Sequence, residues 1–227
     1  MAASDSLLAN PNIVMELHDI KIAVNVMRAR LTVIGFNIAV VSFQLDRLKT
    51  LPGGVNLSGL ESPIHVGSHV SLLLAIPVSM AAIVGYIFSS RYDEIGICTS
   101  WSIVAADILM FMGLALTIAG FFSPLESSMD VMVAGAAEQS AHLLILHDSL
   151  LILGGISWFL AAYVGPVRAL WQSPFPRVTN TCLAFGYLVI FSYLGLISAI
   201  ANAIDAGSTG GLTFAQLAIE FVQPLRW

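Results

Sequence analysis

From Asn10 to Lys49 the apolar residues recur at alternating steps of four and three: Ile13, Leu17, Ile20, Val24, Met27, Leu31, Ile34, Ile38, Val41, Leu45 and Leu48. That period predicts one helix over 10–49. Asn10 is a good N-cap, and Pro11 falls at the first helical position, where its missing N–H costs nothing. Up to Met27 the stripe is amphipathic, with Glu16, Asp19, Lys21, Asn25 and Arg28 elsewhere around the helix. Beyond Arg30 the residues turn apolar on nearly every face as far as Phe43, which is the composition of a helix in lipid. At 1.5 Å per residue the element would be about 55–60 Å long, nearly twice the hydrocarbon thickness of a bilayer. Its first part, 10–30, is therefore expected to project from the membrane. The projecting stripe either packs against loops of its own subunit or joins several copies, since a 3.5-residue apolar period suits a coiled-coil seam. On this pattern the first helix is the element around which the chain is organised.

Four more apolar runs follow. With the apolar part of the first helix they predict five spans, at about 31–48, 68–89, 98–122, 140–164 and 179–204. Ser62 is expected to cap the second helix, with Pro63 in its first turn and a kink at Pro77. Ser123-Pro124 is expected to end the third, leaving a long connection over 125–139 that holds Glu126, Asp130 and Glu138 and no Lys or Arg. Gly165-Pro166 is expected to stop the fourth. Gly207, Gly210 and Gly211 form a flexible joint. Beyond it Phe214, Leu217, Ala218 and Phe221 share one helical face, and Gln216, Glu220 and Gln223 another. That pattern predicts a short helix lying at the interface, anchored by Trp227. The organisation expected is an N-terminal tail over 1–9, a single transmembrane domain over 10–206 and a C-terminal interfacial segment over 207–227.

Composition agrees with this pattern. Of 227 residues, 57% are hydrophobic and only 10% charged, with a mean hydropathy of +0.87. A soluble domain carries about 25% charged residues, so the fold class expected is an all-α, polytopic membrane helical bundle. The net charge of −5 gives no reason to expect a nucleic-acid partner. Cys98 and Cys182 lie near one predicted face, and two cysteines make no framework. Residues 1–8 lack the basic region and compact apolar core of a cleaved signal peptide. Lys21, Arg28, Arg30, Arg91, Arg168 and Arg177 fall on one side if the N-terminus is inside. The other side carries Arg47, Lys49 and Arg226 against Asp46, Glu61, Glu126, Asp130, Glu138 and Asp205. The positive-inside rule then gives N-in, C-out, in a plasma or inner membrane.

Polar residues within the apolar runs suggest chemistry. Asp107 is expected near mid-membrane, about ten residues into the third helix, where a carboxylate must be protonated, paired or wet. Arg30, Asn37 and Gln44 follow one another at seven-residue steps on the first helix. If first helices surround an axis, they would border a pore, with Arg30 near the inner mouth and Asp46 near the outer one. Interhelical hydrogen bonding within a subunit uses the same amides. In layout the chain is similar to store-operated calcium channels, whose first helix also extends inward with basic residues; it lacks their pore glutamate and has an extra span. The expectation is a homo-oligomer joined through 10–49 that conducts a small ion or protons along Asp107, Asn37, Gln44, Arg30 and Asp46.

The histidines supply an alternative. His65 and His69 are one turn apart on the second helix, and His142 and His147 are near the start of the fourth. His69 lies 22 positions before Arg91, and His147 lies 21 before Arg168. Imidazoles at matched depth on facing helices could ligate a haem b or a copper or zinc ion. His142 and His147 are about 140° apart around their helix, so both cannot face the second. A further alternative is an accessory subunit with partners in a larger membrane complex. Gly53-Gly54 is not a phosphate loop, since no Lys-Ser/Thr follows, and neither HExxH nor CxxC is present. Gly154, Gly155, Gly186 and Gly195 suit close helix packing.

Overall fold

Long apolar runs with few breakers fold as helices because lipid offers the backbone no other hydrogen-bond partner. The computed structural model describes residues 11–48, 51, 54–56, 63–93, 100–135, 140–207 and 211–225, and the side chains of all of these except 11–26, 90–93 and 140. In chain order the helices are α1 (Pro11–Arg47), α2 (Val66–Asp93), α3 (Ser102–Gly135), α4 (Ser140–Phe159), α5 (Gly165–Trp171), α6 (Arg177–Asp205) and α7 (Phe214–Ile219). A π-helical turn, Leu160–Val164, joins α4 to α5, and a 3₁₀ segment, Glu220–Leu225, follows α7 and is kinked at Val222. Among the described residues there is no strand, only a bridge between Val55 and Ile64. The Asn10 and Ser62 caps, Cys98, the side chains of the Ile13–Val24 seam, and Trp227 lie outside the described residues.

Four of these elements are long and apolar enough to cross a membrane: Val66–Ser89, Ser102–Gly135, Ala141–Trp171 and Arg177–Asp205. The protein is an all-helical, multi-pass membrane protein. The apolar stretch of α1 is not among the four. Between Arg30 and Arg47 it offers only about 24 Å of helix and is interrupted by Asn37 and Gln44.

The centre of the bundle is α3 rather than the first helix. It packs against α1, α2, α4, α5 and α6. Two thirds of its apolar window is buried, against about one third for each other span. Val104, Ile108, Met112 and Leu116 of α3 meet Val41 of α1 and Leu48 just after it, Leu72 and Ala75 of α2, and Tyr187 and Leu194 of α6. On its other side Ala115 and Ala119 meet Trp158, Ala161 and Ala162. Among the described side chains of α1, Ile34, Asn37 and Val41 are buried, as is Leu48 just beyond its end. This half of the stripe therefore seals α1 against its own subunit, while the side chains of the projecting half lie outside the described residues.

Two prolines fail to end helices as expected. Pro124 lies buried inside α3, which continues to Gly135, so most of the expected 125–139 connection is helical. Ser127 Oγ and Ser128 Oγ donate to the Ser123 and Pro124 carbonyls there. At Gly165-Pro166 the helix widens instead of stopping. The Gly165 N–H reaches back to the Leu160 carbonyl, a π-type bond. Pro166 supplies no N–H, and the carbonyl of Ala162, four residues back, accepts the hydroxyl of Tyr187 from α6. A neighbouring helix thus satisfies the group that proline leaves free, and the span runs on to Trp171.

Candidate functional site

Polar side chains gather at the two ends of the bundle. At one end, α3 begins at Ser102, which puts Asp107 only about 7 Å along it rather than about ten residues in. Its carboxylate accepts from Arg30 Nη2 at 2.7 Å and from the Tyr86 hydroxyl at 2.5 Å. The Arg30 guanidinium also lies 5.7 Å from the centre of the Tyr86 ring. Three helices meet here, and each supplies one member because each enters the bundle at this level. Asp107 is 8% exposed, with its charge matched inside the subunit. Arg30 and Asp107, both singled out in the sequence, are brought together; Tyr86 was missed, although a tyrosine three residues before Ser89 is a common membrane-interface placement.

One and two heptads further along α1, the polar stripe divides. Asn37 is buried and its Nδ2 donates to Ser79 Oγ on α2 at 3.1 Å. Gln44 is half-buried, and Asp46 is exposed. Arg30 and Asn37 therefore serve contacts within the subunit.

At the other end, the C-terminus of α6 meets the N-terminus of α2. Asp205 accepts from the Val66 and Gly67 N–H groups at 2.9 and 2.7 Å, capping α2 from a different helix. This is why α2 starts at Val66 and not at Ser62-Pro63: the chain before it is held extended by the Val55–Ile64 pairing. A Cβ at Gly67 would lie 2.1 Å from Asn202 Oδ1, so only glycine admits so close an approach. Above this junction opens a polar cleft of about 290 Å³, lined by Val55, His65, Ser68, Ser123, Glu126, Ser127, Asn202, Asp205 and Ala206.

The C-terminal segment reverses the expected amphipathic arrangement. Thr213 and Gln216 form a reciprocal capping box that starts α7. The chain then turns inward: Glu220 and Gln223 are 3% and 7% exposed, whereas Phe214 is 86% exposed. Asn202 Nδ2 donates to Glu220 Oε1 at 2.9 Å and also reaches Ser198 Oγ at 3.2 Å. Gln223 Nε2 donates to Glu220 Oε2 at 3.1 Å and to Ser198 Oγ at 3.3 Å. Phe221 stands edge-on to Phe191, its ring centre 5.6 Å away, and its carbonyl accepts from the Tyr163 hydroxyl. Since Phe191 is about 21 Å from the Asp205 end of α6, the segment descends well into the bundle between α4 and α6. Glu220 and Gln223 turn inward because α6 presents Ser198 and Asn202 there, whereas Phe214 turns outward.

Beside Glu220 lies a second, smaller cavity of about 20 Å³, large enough for one water. Met112, Leu116, Trp158, Phe191, Glu220 and Gln223 are among its walls. Asn202 lines the cleft and touches Glu220, so a line of polar atoms joins cleft to cavity. Between that cavity and the Arg30–Asp107 pair Ile108, Met112, Tyr187 and Leu194 pack together.

The histidines do not converge. His65 lies on the cleft wall, and its backbone carbonyl accepts from His69 Nδ1 at 2.9 Å. His147 lines a separate small cavity with Phe122, Leu125, Glu126 and Met129. It is 3.7 Å from Asp130 and 3.3 Å from Asp148. His142 is exposed. Among the described residues no three His, Cys, Asp or Glu side chains are grouped to hold a metal ion. Of the histidines expected at matched depth on α2 and α4, His65 and His147 line different cavities and His69 bonds back to the His65 carbonyl.

Glu220, Glu126 and Tyr163 escaped sequence reasoning as site residues. The signal that could have found Glu220 is an acid in a segment rich in phenylalanine, leucine and isoleucine, read there as a surface face. No protein-family model matches the chain, and no curated protein or solved structure shows significant similarity to it.

Proposed function

We propose that the protein conducts protons or a small cation, as a homo-oligomer in a plasma or inner membrane. In this reading α1 is a fifth span and the N-terminus is cytoplasmic, in keeping with the basic residues on that side. The path enters by the cleft, passes Asn202 to the carboxylate of Glu220, and continues through the single-water cavity toward α3. The observation that carries the reading is Glu220, an acid 3% exposed that bonds to Asn202 of the polar cleft and lines the one-water cavity. Intramembrane acids are costly, and serving a proton or ion relay is the usual reason for retaining one.

In this account Asp107, Arg30 and Tyr86 lock the opposite end. The apolar layer of Ile108, Met112 and Leu194 keeps the path closed until the helices move. Asn37 steadies α1 on α2, and Gln44 and Asp46 border the outer end of α1. Copies associate through the part of α1 that projects before Arg30. Proton flux into liposomes tests the proposal: Glu220→Gln, which keeps the shape and removes the titratable group, is expected to abolish at least nine tenths of the wild-type rate. An unchanged rate in a well-folded variant overturns it.

A second reading is supported by the outer face of α1. Phe36 and Phe43 are 72% and 59% exposed, a surface suited to a partner helix of a larger membrane complex. Purified protein that is inactive alone and co-purifies with another membrane subunit would favour this reading.

A further inference from the structure

The span made by α4, the π turn and α5 is seated on α3 by Ala161, Ala162 and Gly165. Along its exposed face, where Phe159, Val164, Val167 and Trp171 stand out, runs an open groove of about 440 Å³. The walls change character along the helix. Phe159, Val164 and Val167 come first, and Arg168, Trp171 and Gln172 close the end where the apolar span stops. From Phe159 to Gln172 the groove follows about 20 Å of helix, against about 15 Å for the hydrocarbon of one leaflet. Apolar first and polar last over that depth is the profile of a single phospholipid.

A second observation is that the polar end is unsatisfied. Among the described residues the side chains of Arg168, Trp171 and Gln172 make no hydrogen bond or ion pair, and no Asp or Glu lines the groove. The Tyr163 hydroxyl, also on the wall, is taken by the Phe221 carbonyl. Gly165 sits close against Phe111, one turn along from Asp107, so this is the end of the bundle that holds Arg30. There Arg30 has Asp107 as its counter-charge, and Arg168 has no acid of its own chain.

These features select the occupant. A guanidinium can meet a phosphate with two parallel N–H donors, and its long stem lets it lie along apolar surface while the charge stays at headgroup level. An indole at that level is an ordinary interfacial anchor. A zwitterionic headgroup offsets its phosphate with its own ammonium, whereas an anionic lipid leaves a net negative charge for the protein to match. We propose that the groove holds an anionic phospholipid, with an acyl chain along Phe159, Val164 and Val167, its phosphate on Arg168 and Gln172 as a further donor. The site lies on the outer face of the bundle, apart from the path through Glu220, and does not depend on it.

The test reads Trp171 fluorescence in the full chain, reconstituted in phosphatidylcholine bilayers. Trp101→Phe and Trp227→Phe leave Trp171 and the buried Trp158 as the indoles, and a further Trp171→Phe gives the Trp158 background. Brominated phosphatidylglycerol or brominated phosphatidylcholine is included at equal mole fraction, and quenching reports their relative affinity for the groove. A preference of about fivefold for the anionic lipid is expected, the share of one basic residue at an anionic surface. Arg168→Gln, a change at an exposed position, should bring the ratio to within about twofold of unity. Soluble glycerol phosphate should leave the quenching unchanged, since it has no acyl chain to seat. Equal quenching by the two lipids, the mark of ordinary surrounding lipid, overturns the proposal. So does an undiminished preference in Arg168→Gln, or displacement of the lipid by glycerol phosphate. Trp171 shielded from both lipids would mean that a protein face covers the groove, and overturns it as well.

Discussion

Removing the Asp107 charge tests whether the Arg30–Asp107–Tyr86 contact is a closed, load-sharing lock. In Asp107→Asn the amide oxygen can still accept from Tyr86, but the Arg30 guanidinium loses its counter-charge. The Arg30 side chain is 25% exposed and that of Asp107 11%. Arg30 can therefore recover some hydration, and the cost should fall near about 3 kcal/mol, the low end for breaking a buried pair. Arg30→Gln strands the more deeply buried partner and should cost more, toward about 5 kcal/mol. Replacing both, as Arg30→Met with Asp107→Leu, removes two desolvated charges and should cost less than either single change. The assay is reversible unfolding in mixed micelles for the four proteins of the cycle. Single changes that cost nothing, or a double change equal to the sum of the singles, would refute the pairing and its role as a lock.

The carbonyl left free by Pro166 gives a second prediction: Tyr187→Phe should destabilise by about 1–2 kcal/mol, and much less in a Pro166→Ala background, as read from unfolding in micelles. Gly165→Ala would place a Cβ 2.4 Å from the Phe111 ring and should cost about 1–3 kcal/mol, whereas Gly186→Ala, with nothing within 4 Å, should be neutral or slightly stabilising. If copies associate along the projecting part of α1, single cysteines placed between Ile13 and Val24 should cross-link at every third or fourth position, and Phe36→Cys, on the outer face, should not follow that pattern.

The sequence made the helices legible where a single period or breaker ruled. The step of four and three in α1 gave a helix that the structure has at Pro11–Arg47, and α6 begins and ends within two residues of expectation. Gly165 and Pro166 misled because the signal for stopping a helix is local, while the hydroxyl that allows it to continue comes from Tyr187, 25 residues away from Ala162. The tail misled for a related reason. The expected single helix stops at Ile219 and a kinked 3₁₀ segment follows, so Phe221 does not share a face with Phe214, and the inward turn of Glu220 and Gln223 depends on Ser198 and Asn202 of another helix. Arg30 and Asp107 were each picked out and never paired, since 77 residues separate them. The close-packing glycines divide in the same way, with Gly154 against Phe122 and Gly155 near Pro224 but Gly186 facing open space.

The central claim is that Glu220, and not Asp107, carries the proton through the bundle. The most direct measurement compares initial proton flux into liposomes holding wild-type protein, Glu220→Gln and Asp107→Asn at equal protein content. The account predicts a loss of at least nine tenths of the flux in Glu220→Gln and a rate equal to or above wild type in Asp107→Asn, where the lock is loosened. Full flux in folded Glu220→Gln, or its loss in Asp107→Asn alone, would contradict it.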